Sequence, residues 1–161
     1  MLSFDRRTVL GLPLVLAACG FTPVYAPGQD GNALYGQVQV FAPERRADYF
    51  LVQDLEQQLG QPASPTYDLS VTTRVFDQGQ ALTEAGEITR YSIVGRADYV
   101  LTRLADGEVV ASGAVENFTG YSATGSTVQT LAAERDARKR LMVILAQQIT
   151  DQLLTTAELG A

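Results

Sequence analysis

The chain has 161 residues, 46% of them hydrophobic, with twelve basic against eighteen acidic side chains and a net charge of −6. That length suits one domain able to bury a core, and so acidic a balance, unrelieved by any basic tract, argues against nucleic acid as a partner. Histidine is absent and cysteine occurs once, which removes His-based acid–base catalysis, nearly every zinc arrangement and any intramolecular disulfide.

The first stretch reads as a secretory signal. Arg6 and Arg7 supply its charged start and Val9 to Ala18 its apolar run, interrupted by Pro13. Ten such residues reach only about 15 Å as a helix, roughly half the hydrocarbon core of a bilayer. The run ends in Leu16-Ala17-Ala18-Cys19: an apolar residue, two small ones and a thiol that a diacylglycerol can alkylate before the preceding peptide bond is cut. Cys19 is therefore the expected lipid-attachment site, and a covalent N-acyl diacylglycerol the only non-protein group expected. The Arg6-Arg7 pair leaves both the general and the twin-arginine export routes open. Gly20, in place of an aspartate after Cys19, favours the outer membrane. The expected organisation is a signal over residues 1–18, a lipidated tether over 19–31 rich in Gly and Pro, and a single domain over 32–161.

Within the domain, Leu34, Gly36, Val38 and Val40 alternate with polar and aromatic residues and predict a first strand ending before Pro43. Leu51, Val52, Leu55 and Leu59 form one stripe of a helix over 45–59, stopped by Gly60 and Pro62. Period two returns from Tyr67 to Phe76, with Leu69, Val71, Thr73 and Val75 on one face and Ser70, Thr72 and Arg74 on the other. Asp77 to Gly86 reads as a turn or loop. A third strand runs over 90–101, with Ile93, Gly95, Ala97 and Tyr99 inward and Arg90, Arg96 and Asp98 outward. Asp106-Gly107 signals a hairpin, and a fourth strand follows over 109–118. Gly120 to Ser126 reads as a polar connector. A long helix begins at Thr127 and reaches about Leu154, with Ala137, Leu141, Ile144, Leu145 and Ile149 on its stripe.

This order, β-α-β-β-β-α, predicts an α+β two-layer sandwich: a four-stranded mixed sheet with two helices on one face. The first two strands are expected to be parallel and the rest an antiparallel meander. No serine sits in a G-x-S-x-G turn, the glycines form no phosphate loop, and the carboxylates occupy ordinary strand and turn positions, so an enzyme is not expected. Arg74, Arg90 and Arg96 are expected on one outer sheet face, where guanidinium groups either bind a phosphorylated head group or pair with Asp68, Asp98 and Glu116. The opening turns of the last helix hold a mixed-sign patch, Glu134 to Arg140, from which Arg138 and Lys139 are further candidate lipid contacts.

Cys19-Gly20-Phe21-Thr22-Pro23-Val24-Tyr25, the Arg90-Tyr91 strand, and Tyr121-Ser122 ahead of a helix carrying Glu134-Arg135-Asp136-Ala137 together resemble the lipopolysaccharide-assembly lipoprotein family LptE, most closely its alphaproteobacterial branch. The resemblance covers essentially the whole chain. It implies two helices on a four-stranded sheet, tethered to the periplasmic face of the outer membrane, with no enzymatic activity. It further implies two partners: the β-barrel that inserts lipopolysaccharide, which such proteins plug and help assemble, and lipopolysaccharide itself. Basic residues carry the lipid contact in relatives, yet the loop before the third strand has Glu84 and Glu87 in this chain, so the arginines named above are not matched family positions. A different class of function, an auxiliary lipoprotein of a lipid or solute transporter, would require an apolar pocket or groove.

Overall fold

The computed structural model describes residues 34–84 and 86–156; Cys19 and the expected signal and tether lie outside them. The elements are β1 (Val38–Val40), α1 (Arg46–Leu59), β2 (Tyr67–Leu82), β3 (Ile88–Arg103), β4 (Val109–Ser122) and α2 (Thr127–Thr156). One four-stranded sheet has the order β1-β2-β3-β4. β1 lies parallel to β2, while β2–β3 and β3–β4 are antiparallel. The fold is the α+β arrangement expected from the order of elements.

The strands bury the face their alternation predicts. Leu69, Val71 and Thr73 of β2, with Ile93, Ala97, Tyr99 and Leu101 of β3, are buried, whereas Ser70, Thr72, Arg74 and Arg96 are exposed. These inward residues share one core with Leu51, Leu55 and Leu59 of α1 and with Leu141, Leu145 and Ile149 of α2. Both helices therefore cover the same sheet face, and each fully buried leucine contributes about 1.5–3 kcal/mol relative to an exposed one. Met142, Ala146 and Leu153 of α2 are also buried, and Ile144, expected on the stripe, is only half-buried. Gly95 sets how closely α2 can approach, because a Cβ there would lie 2.8 Å from Leu141 Cδ2.

Polar contacts fix both helices. Arg45, in extended conformation, precedes α1, and Asp48 at the third helical position accepts its backbone N–H at 3.3 Å. Asp48 is only 3% exposed; it also takes the Arg45 guanidinium at 3.0 Å and the Thr73 hydroxyl at 2.7 Å. Arg45 Nη2 reaches the Thr73 carbonyl at 2.9 Å, so the start of α1 is pinned onto β2. Near the far end of α2, the buried Tyr99 phenol donates to Gln152 Oε1 at 2.9 Å, and burial pushes its pKa up.

Four boundaries differ from the sequence expectation. β1 is shorter than predicted: Gly36 adopts φ +70°, its N–H bonds the Leu59 carbonyl at 2.7 Å, and residues 35–37 form a turn instead of extending the strand. The span from Asp77 is strand rather than loop as far as Leu82, because Asp77, Gln78 and Gly79 pair with Ile93, Ser92 and Tyr91. β3 correspondingly begins at Ile88. Gly120 to Ser122 belongs to β4, paired with Ser92, Tyr91 and Arg90, rather than to the connector.

Candidate partner-facing sheet and basic helix face

The outer sheet face is ordered in rows by cross-strand register. Arg74 stands opposite Arg96, which stands opposite Glu116. The next row is apolar, Phe76–Val94–Phe118, and the one beyond is Gln78–Ser92–Gly120. Phe76 is 50% and Phe118 68% exposed. Aromatic side chains placed at this spacing on a polar face are free to pack against a partner wall.

Arg74, Arg90 and Arg96 do share this face, but they do not form one cluster. Arg96 donates to Asp98 Oδ1 through Nε at 3.1 Å and Nη2 at 3.0 Å, and lies 4.0 Å from Glu116. Arg74 lies 3.6 Å from Asp98 Oδ2, an ionic contact too long for a hydrogen bond. Two opposed guanidinium groups are thus held together by one shared carboxylate. Asp68 takes no part; it accepts the Ser70 hydroxyl at 3.3 Å. Arg90 is six residues from Arg96 along β3, about 20 Å at strand rise. It lines a shallow depression of about 630 Å³ with Gln80, Ser92, Phe118 and Ser122.

The basic residues of α2 face elsewhere. Arg138 is bound to Asp77 at 2.5 Å and Glu134 at 3.0 Å, tying α2 to the end of β2 whose local sequence predicts a loop. Burial opposes its charge, and the two carboxylates outweigh that cost, so its pKa is raised. Lys139 Nζ stands 5.4 Å from the centre of the Phe50 ring, a cation–π distance. Both line a cleft of about 300 Å³ between the helices, with Arg46, Ala47, Phe50, Arg135 and Asp136. Arg46, Ala47 and Phe50 lie outside the sequence-predicted candidates, although Phe50, four and three residues on, is a surface neighbour of both Arg46 and Ala47 on the helix. Glu84 and Glu87 sit where expected, in the turn between β2 and β3. The second hairpin is tied by Arg103, which contacts Asp106 at 3.0 Å and Glu108 at 2.6 Å. No described helix is long and apolar enough to cross a membrane.

The fold recurs in solved lipoprotein structures. A candidate lipoprotein of Caulobacter crescentus CB15 superposes with a TM-score of 0.65 at 20% identity, covering 78% of this chain and 93% of its own. The rare lipoprotein B of Shewanella oneidensis gives 0.58 at 10% identity, covering 74% and 93%. Lipoprotein B of Nitrosomonas europaea gives 0.57 at 16%, covering 75% and 83%. At such identities these likenesses speak to fold alone. No curated protein matches the chain. The lipopolysaccharide-assembly family LptE matches residues 33–153, which spans every element from β1 into the last turns of α2, and the chain belongs to that family.

Proposed function

We propose that this protein is an outer-membrane lipoprotein of lipopolysaccharide transport, anchored at its periplasmic face through acylated Cys19, which plugs and helps assemble the lipopolysaccharide-inserting β-barrel. The observation that carries the reading is the family match across the whole folded domain. The role is steric and electrostatic. Large barrels have a polar lumen, and a folded domain with an outer sheet face of Arg, Gln, Ser and Thr presents hydrogen-bonding groups to such a wall. The Phe76–Val94–Phe118 row supplies the apolar contact that would hold it there. A lipid at Cys19 adds membrane affinity and fixes which end of the domain faces the leaflet. Direct lipopolysaccharide binding is part of the proposal, with Arg90, Lys139 and Arg135 better placed for it than the ion-paired Arg74, Arg96 and Arg138.

A mild-detergent pull-down of the tagged protein from native membranes tests the reading, with mass spectrometry of what accompanies it. A stoichiometric large β-barrel is the expected result. Recovery of inner-membrane transporter subunits in its place would support the second reading, an auxiliary lipoprotein of a lipid transporter, which the cleft between the helices favours. Cys19→Ala should abolish fatty-acid labelling; a variant still labelled would overturn the anchor assignment.

A further inference from the structure

We infer that the cleft between α1 and α2 is a binding site for a phosphate-bearing single acyl chain. This deepens the lipid-handling reading above and rests on it for the biological source of the lipid. Among the described residues, only Arg46, Arg90, Arg135 and Lys139 are basic side chains with no described carboxylate within salt-bridge distance. Three of those four, Arg46, Arg135 and Lys139, line this one cleft. In a chain of net charge −6, unpaired cations gathered in one place form a local reversal of the overall field. The carboxylate that lines the cleft with them is already engaged, since Asp136 accepts Arg140 Nη1 at 2.6 Å.

Between these charges the cleft is apolar. Ala47 and the half-buried Phe50 of α1 supply it, together with the aliphatic stems of the basic residues. The volume of about 300 Å³ falls at the lower end of small-ligand sites. An inorganic anion would use only the exposed cations at the rim, and a neutral chain only the apolar lining. A chain ending in a phosphate satisfies both, the head group taking charge-assisted bonds from Arg46 and Arg135 while the tail covers Phe50. Lys139, exposed and standing over the Phe50 ring, adds a third cation beside that tail. Arg138 stays with Asp77 and Glu134 and holds the cleft wall in place.

The test uses the full chain in phosphatidylcholine nanodiscs, labelled with a photoreactive lysophosphatidic acid and, in parallel, with the monoacylglycerol of the same chain. Labelling should concentrate in peptides containing Ala47 to Phe50 and Arg135 to Lys139, at least tenfold more with the phosphate-bearing probe. Arg135→Glu/Lys139→Glu should lower labelling at least tenfold. Ala47→Trp, which fills the cleft and leaves every charge in place, should do the same. Both variants should keep the wild-type unfolding midpoint; where one does not, Arg46→Glu at the exposed start of α1 takes its place. Equal labelling by the neutral probe, labelling centred on Phe76 and Phe118, or labelling indifferent to charge reversal would each overturn the inference. Displacement by millimolar inorganic phosphate would also overturn it, by making free phosphate the ligand. The same variants should still co-purify with the barrel, so loss of this site is separable from failure of the plug reading.

Discussion

Asp48 shows how one buried side chain fixes the geometry around it. It is a carboxylate one turn ahead of Leu51 and Val52 on α1, and it is almost wholly covered because Arg45 and Thr73 satisfy its oxygens. Asp48→Ala should cost about 1–3 kcal/mol in denaturant unfolding, since the Thr73 hydroxyl loses its acceptor inside the domain. Arg96→Ala, by contrast, removes exposed pairings and should cost under about 1 kcal/mol. Tyr99 carries a pH signature. Its phenol is pushed above the ordinary value of 10.0 by burial, so above that pH the unfolded chain releases a proton that the folded one keeps. Stability is then fully present below pH 10.0 and falls as pH rises toward the higher folded-state value. Alkaline titration of the unfolding midpoint should show this fall, and Tyr99→Phe should remove part of it.

At the scale of elements, α2 depends on glycine in the strand beneath it. Gly95→Val should destabilise by about 1–3 kcal/mol through overpacking against Leu141 and Leu145, read as a lowered denaturant midpoint with unchanged strand content. Long alternating runs such as Tyr91 to Leu101 specified both the strand and its buried face, because one-sided burial repeats every second residue. Asp77 to Gly79 presents loop character locally, because Asp and Gly are both depleted in strands. What holds them extended is pairing with β3 and the Arg138 bridge to Asp77, a contact 61 residues away in the chain. No local pattern encodes it. The arginine faces were legible for the same reason as the strands. Their distribution into an ion-paired couple and a distant third depended on register, which alternation alone leaves open.

Across the whole molecule, family and fold agree with the order of elements, whereas the cleft between the helices could not be foreseen from either helix alone. Its lining joins residues on α1 with residues on α2, and only packing brings the two sets together. One feature of the sheet bears on how the domain responds to load. β1 has three residues and pairs on one side only, and it is the first described strand after the segment proposed to run to the membrane. Tension entering ahead of Leu34 therefore meets the weakest seam first, while the β2–β4 meander, with strands of fourteen to sixteen residues, remains shielded behind it. Pulling the domain from its ends in an optical trap should release β1 in a small early step at low force, followed by a larger rupture. β1 would then act as a mechanical fuse, unzipping from β2 under load before the longer strands open and pairing again when the load falls.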